Sequence, residues 1–472
     1  MPDVETLSSS ELFAAYQSRS LSPVEVTNAC FARIDRFEPQ VNAFVLQDRE
    51  GALRAARESE RRWIEGTPLG PGDGIPATVK DNIACKGLPS RAGSRLTSSE
   101  PLSFDAPAVA RLKEAGCIIL GKTTMPEFAW KATGDSPLTG ITRNPWKLTC
   151  TSGGSSAGAG VAAASSLGLF HLGTDGGGSI RIPASFNGVV GFKPSFGRVP
   201  HFPSSTMLGL AHLGPITRCV ADAARMLTII AQPDKRDLTA WNTQSTAYDQ
   251  ALNGSMKGKR IAWSPTLGFA RHVHPEVARL TKAAALSFVE MGAVVDEVEP
   301  DFADPIDIFT TLWTAGAALA MRAYPTDAME QRDAGLVRSA MAGHFVSGAD
   351  VIEALVRKRF ALAMQLDELF SKYDLLLTPQ VAVPAFPVGS DVPPPAYGGL
   401  DDWGTNWTQW SPFTYLFNIT QSPAISVPCG LTDDGLPVGL QLVGPLRSDE
   451  SVLRAAYAFE SRSRFCPLDA IS

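Results

Sequence analysis

Apolar positions along the chain follow two periods. From Ser22 the stretch "SPVEVTNACFARI" puts Val24, Val26, Cys30, Phe31 and Ile34 on one helical face. Ser22, Pro23 and Glu25 add an N-cap, a proline in the first turn and the acid of a capping box. A short helix over 8–18 precedes it and another over about 50–65 follows, so the pattern predicts a helical layer outside a sheet. Short β-rich runs then alternate with helices. The strands are expected at 75–83, 117–120, 169–175, 259–264 and 293–299, the helices between them at 105–116, 155–166, 221–230 and 275–291. Residues 301–372 read as mainly helical, and "DLLLTPQVAVPAFP" returns to a strand. A Pro/Gly-rich ordered surface loop is expected over 384–404, a hairpin or two adjacent strands around 433–435, and a last helix over about 449–462. No repeat or composition shift marks a boundary. The alternation predicts an α/β protein: a single large domain, 1–472, with a mixed, mostly parallel twisted central sheet covered by helices on both faces.

Composition narrows the function classes. The 472 residues are 44% hydrophobic and 19% charged, with a net charge of -6, which gives no electrostatic case for nucleic acid or an anionic membrane as partner. No uncharged apolar run reaches the ~18–20 residues of a membrane span, and the first residues lack the basic-then-apolar order of a secretory signal. The seven cysteines are odd in number and form no C-x-x-C pair, as expected of reduced thiols in a cytoplasmic protein. The six histidines show no zinc spacing, so no metal is expected, and His272 and His274 beside Pro275 read as a surface turn.

Two glycine–serine segments hold the candidate chemistry, "TSGGSSAGAG" (151–160) and "GTDGGGSIRIP" (173–183). Neither fits a dinucleotide or phosphate-loop fingerprint. Consecutive residues without Cβ atoms can turn several N–H groups toward one point. Gly176, Gly177, Gly178 and the N–H of Ser179 are therefore a candidate oxyanion hole beside the Ser179 hydroxyl. No histidine stands in a catalytic context and no G-x-S-x-G elbow is present. A lysine can act as base if burial keeps it neutral, and Lys80, closing the apolar run "IPATVK", is the candidate.

The long segment "TSGGSSAGAGVAAASSLGLFHLGTDGGGSIRIPASFNGVVGFKPSFGRVP" resembles the signature of the amidase-signature serine hydrolases, and "GIPATVKDNI", "GKTTMPEFAW", "TRNPW" and "FNITQSPAISVPCGLTDDGLPVGLQLVGP" flank it. The resemblance spans roughly 5–230 and 370–460, with a signature core about 70–230, a variable and mainly helical substrate-side region about 300–372 and a return to the sheet over 373–465. It implies a Lys80–Ser155–Ser179 triad, with a cis peptide before Ser155, Ser179 as nucleophile and no cofactor. Asp175 and Arg181 match positions that buttress the loop. Ser156 is expected to cap the next helix, Ser152 to join the same network, and Glu127 and Lys193 to be scaffold. Two positions depart from the family pattern: Gly176 stands for the usual threonine, with more room for an acyl group, and Ala157 for a glycine. Amide, carbamate (as in urethanases and carboxybiuret hydrolases) and ester substrates share this acyl chemistry and stay open, with water as co-substrate; a homodimer is expected by analogy alone. An amidotransferase A-type subunit is ranked lower because "GLAHLGPITR" replaces its usual motif, and a non-catalytic amide-binding scaffold lower still. Phe128, Trp130, Met207, Trp313, Trp407 and Trp410 are the candidates for an apolar substrate pocket favouring aryl or bulky amides.

Overall fold

In the computed structural model, residues 6–207, 209–243, 246–324, 330–404, 406–462 and 465 are described. Cys466 lies outside them, and the other six cysteines form no disulfide with one another. The strands are β1 (Phe44–Gln47), β2 (Pro76–Lys80), β3 (Ile118–Thr123), β4 (Asp135–Ser136), β5 (Gly140–Ile141), β6 (Phe170–Asp175), β7 (Val190–Lys193), β8 (His212–Thr217), β9 (Arg260–Trp263), β10 (Val294–Glu297), β11 (Leu375–Pro379), β12 (Ala424–Leu431) and β13 (Pro437–Val443). Eleven of them form one mixed sheet in the order β1-β3-β2-β6-β8-β7-β12-β13-β11-β9-β10, and β4 and β5 pair apart.

Parallel pairing is confined to the flanks. β3, β2 and β6 run parallel on one side and β11, β9 and β10 on the other. The strands between them, β6-β8-β7-β12-β13-β11, are antiparallel neighbours. The flanks are joined by helical crossovers, which parallel strands require, whereas the predicted hairpin β12–β13 needs none. Helices cover both faces. Ala157–Ala164 and Arg181–Asn187 pack against one, where Ile216 of β8 joins Ala159, Ala163 and Ile180. Pro107–Glu114, Val220–Ile230 and Asp449–Glu460 pack together on the other, where Leu213 enters the larger core. No helix among the described residues is long and apolar enough to cross a membrane.

The capping box at Ser22 and Glu25 is present, and Val26, Cys30, Phe31 and Ile34 are buried as the periodicity predicts. The N-terminal layer is not purely helical. β1 lies between the helices Pro23–Val41 and Arg49–Glu65 and pairs antiparallel with β3 at the sheet edge. Four residues are too few for an alternation to show. His274 is the N-cap of the helix Pro275–Glu290, its Nδ1 accepting from Glu276 N–H, rather than part of a plain surface turn. The 384–404 segment is not confined to the surface either. Ala385, Phe386, Val392 and Trp403 are buried in a second, aromatic-rich core with Trp130, Phe309, Trp313, Trp407 and Trp410. Apolar side chains spaced among prolines and glycines give no period, so their burial was invisible in the sequence.

Candidate active site

β2 is held on both sides, by β3 and β6. Its alternation sends Ala77 and Val79 into the larger core. Thr78 and Lys80 take the opposite face, Thr78 meeting the His171 ring at 2.9 Å. Lys80 thus ends at the carboxyl end of a central strand with no solvent exposure. Its Nζ lies 2.7 Å from Ser155 Oγ and 2.8 Å from Thr174 Oγ1. Burial pushes the amine well below its ordinary pKa, and the charge of Asp175 only partly opposes this.

Ser155 follows a cis peptide from Gly154 and is fully buried, just before the helix Ala157–Ala164. Ser179 precedes the helix Arg181–Asn187 and keeps 7% exposure, so of the three side chains it is the one a substrate can reach. Ser156 N–H donates to Ser179 O at 3.0 Å and fastens the two serine segments together. The Ser179 hydroxyl itself has no hydrogen-bond partner among the described residues.

Asp175 organises the glycine turn. Its Oδ1 accepts Gly178 N–H at 2.7 Å and its Oδ2 accepts Ile180 N–H at 3.1 Å. The buried Arg181 grips the same carboxylate through Nε (2.9 Å) and Nη2 (3.0 Å). Arg181 also donates to Thr414 O, Gln441 Oε1 and Asn418 Oδ1, joining the turn to the C-terminal half of the sheet. The Arg181 charge holds the Asp175 carboxyl far below the usual range against its burial. The Gly178 N–H is therefore spent within the turn, a correction to its place in the candidate oxyanion hole. The N–H groups of Gly176, Gly177 and Ser179, the rest of that candidate set, have no partner among the described residues.

Ser156 stands at the N-cap position but does not cap. Its Oγ donates to Thr174 O at 3.1 Å and accepts Thr174 N–H at 3.3 Å, which locks the end of β6 against Lys80. Ser152 is not in the Lys80–Ser155 network, since its Oγ donates to Thr142 O at 3.1 Å. Glu127 is buried, accepting from Ser94 Oγ and from Asp333 N–H. Lys193 is buried and donates to Ser422 O, on the Asp175 side of the sheet. Ala157 is accommodated because Gly134 faces it; a Cβ on Gly134 would stand 2.9 Å from that of Ala157.

Three rings roof the glycine turn. A Cβ on Gly176 would be 3.1 Å from the Trp313 ring, and one on Gly177 would be 2.7 Å from Phe309 and 3.3 Å from Trp407. The room expected from the missing Gly176 side chain is thus filled by Trp313. Phe309 stacks on Trp313 with centroids 5.0 Å apart, and Trp407 meets both edge-on. The same rings, with Trp130, line a cavity of about 260 Å³ that also includes Thr310, Thr314, Arg338 and Asn406.

Trp130, Trp313 and Trp407 are therefore together, as the sequence suggested. Trp410 is not with them. It is fully buried, stacked on Phe186 at 5.6 Å, and its Nε1 donates to Asp391 O. Phe128 pairs with Tyr324 and Met207 packs at Gly316, both away from the cavity lining. Phe309 was missed; it lies four residues before Trp313 on the helix Ile306–Met321, and that spacing was the available signal. Lys131 anchors the walls, binding Asp135 (2.7 Å), Asp333 (2.9 Å) and Asp391 (2.9 Å) from three separate segments.

This arrangement, a buried low-pKa amine beside a serine and a second, reachable serine beneath unpaired N–H groups, is suited to acyl transfer. The amidase family model matches residues 25–453, and the chain belongs to the amidase-signature family. It is an amide-hydrolysing enzyme. An acylamidase of Rhodococcus erythropolis is 38% identical over 96% of this chain and 95% of its own. The A-type subunit of the glutamyl-tRNA(Gln) amidotransferase of Geotalea daltonii is 34% identical over 96% of each chain. The crystal structure of a bacterial aryl acylamidase of the amidase-signature family superposes with a TM-score of 0.89 at 29% identity, covering 96% of each chain.

Proposed function

We propose that this protein hydrolyses the C–N bond of aryl or bulky apolar carboxamides through an acyl-enzyme on Ser179. Neutral Lys80 accepts the Ser155 proton as Ser155 takes that of Ser179, and Ser179 Oγ attacks the substrate carbonyl. The two serine hydroxyls close on one another with substrate in place, since catalytic hydrogen bonds are commonly long in the free enzyme. The N–H groups of Gly176, Gly177 and Ser179 hold the oxyanion, each such donor being worth roughly 3–4 kcal/mol. Ser155 returns the proton to the leaving amine, and water releases the acyl group by the reverse relay.

The reading rests above all on the 2.7 Å approach of a solvent-free Lys80 amine to Ser155 Oγ. The aromatic cavity supports the choice of aryl or bulky groups. A fluorophosphonate probe is expected to label Ser179, mapped by peptide mass. Ser179→Ala is expected to abolish both labelling and release of p-nitroaniline from p-nitroacetanilide; full turnover by that variant overturns the reading. Carbamates and esters of the same acyl shape enter the same screen.

A glutamine-using amidotransferase component is the second reading, favoured by the 34% identity to such a protein. Against it, the cavity lining offers, among the described residues, one cation, Arg338, and no carboxylate to receive an α-ammonium group. Release of ammonia from glutamine in preference to anilide cleavage would decide for that role.

A further inference from the structure

We infer that Arg338 is a specificity-determining residue that receives a carboxylate carried by the substrate away from the scissile bond. This rests on the amide-hydrolase reading above and narrows its substrates to aryl amides bearing an anionic group.

Arg338 is the one charged side chain lining the aromatic cavity among the described residues. Its helix, Ala334–Gly343, is pressed onto the cavity wall at Gly335, where a Cβ would stand 2.0 Å from the Trp130 ring. Arg338 follows Gly335 by three residues, and positions three apart share a helix face. The helix start is fixed from two sides: the Asp333 carboxylate binds Lys131, and its N–H donates to Glu127. The backbone that carries the guanidinium is thus fastened to the Trp130 side of the cavity.

The guanidinium is exposed and has no hydrogen bond or ion pair with any described residue. Acids on the flanking segments are already engaged. Asp333, Asp135 and Asp391 share Lys131, and Asp307 pairs with Lys358. Ser339 and Asn406 add neutral polar groups to the lining. A planar fork of donors beside an apolar slot suits a carboxylate, which it can bind through two parallel hydrogen bonds. The rings that roof Gly176 and Gly177 line the same cavity as Arg338. On this inference a substrate whose amide is held at Ser179 lays its ring against Trp313 and Trp407, which touch both the glycine turn and the cavity, and turns its carboxylate to Arg338.

The test compares kcat/KM for 4-acetamidobenzoate and its neutral counterpart 4-acetamidobenzamide, using the full-length enzyme. The ratio of the two is read in wild type, Arg338→Lys, Arg338→Met and Arg338→Glu, because comparing variants cancels the intrinsic difference in reactivity. Arg338→Met is expected to lower the benzoate-to-benzamide ratio about tenfold, Arg338→Glu to lower it further, and Arg338→Lys to fall between wild type and Arg338→Met. Raising the salt to ~0.5 M should shrink the wild-type ratio. A ratio equal within twofold in wild type and Arg338→Glu overturns the inference. If neither amide is hydrolysed, the parent reading fails instead. Calorimetric binding of 4-acetamidobenzoate to Ser179→Ala and to Ser179→Ala/Arg338→Met then decides the Arg338 role alone: about tenfold weaker binding in the second sustains it, and equal binding overturns it.

Discussion

The Lys80 amine and the Ser155 hydroxyl, 75 residues apart in the chain, stand 2.7 Å from each other with no solvent on either. Burial lowers the amine's pKa more than the Asp175 charge restores it. Burial thus favours the uncharged amine, the form with a free electron pair to accept a proton, whereas a surface lysine is favoured in its protonated form.

Removing that base should cost most of the catalysis. Lys80→Met is expected to lower kcat/KM for p-nitroacetanilide by about 10²–10⁴. In the wild type kcat/KM should fall as pH drops through the folded-state pKa of Lys80, and this acidic limb should be absent from the residual rate of Lys80→Met. Stability carries the same sign. Between the lowered folded pKa and the unfolded value of about 10.4, the unfolded chain binds more protons, so the wild type gains stability relative to Lys80→Met as pH rises through that window. Denaturation in urea at a series of pH values measures the difference, and a flat difference would remove the lowered pKa.

The three glycines should not respond alike. Gly178 has φ +117, and a Cβ there would lie 2.7 Å from Ile182 Cδ1 and 2.8 Å from Thr414 Cβ. Gly178→Ala is expected to lower both Tm and kcat. At Gly176 the nearest atom to a new Cβ is the Trp313 ring at 3.1 Å, with no left-handed backbone. Gly176→Ala should keep its Tm within a few degrees and change mainly KM, as the ring shifts by tenths of an ångström.

Asp175 and Arg181 form a buried pair in which each is the other's charge partner. Arg181→Met leaves the carboxylate buried without its paired charge, so a loss of about 3–5 kcal/mol is expected from urea denaturation. If the protein survives that loss folded, kcat should still drop, because Asp175 holds the glycine turn through Gly178 N–H.

Two tryptophans separate core from pocket. Trp410→Ala removes a ring packed on Phe186 and Phe386 and should cost about 3–5 kcal/mol of stability. Trp313→Ala opens the cavity beside the glycine turn and should raise KM for anilides more than for acetamide. Equal KM effects on both substrates would remove Trp313 from substrate contact.

Much of this was readable from residue order. The capping box at Ser22, the helix–strand alternation and the β12–β13 hairpin depend on neighbours a few residues apart, and each is present. The residues of the candidate site were also legible as candidates, because Lys80, Ser155 and Ser179 stand within long ordered motifs. β1 was not, being too short to show an alternation. Nor was the division of labour among polar groups. Gly178 N–H turned to Asp175 and Ser156 tied to Thr174 depend on where β6 ends relative to two other segments.

Chain order alone thus carried the family and the layered α/β plan, and singled out three side chains for the candidate relay, since these are encoded in local patterns and fixed spacings. Packing decided the rest: that Lys80 is stripped of water, that Trp313 and Trp407 roof the glycine turn while Trp410 joins the core, and that Arg338 reaches the cavity. Each of these depends on surfaces brought together from distant parts of the chain, and a linear pattern holds no record of which surfaces will meet.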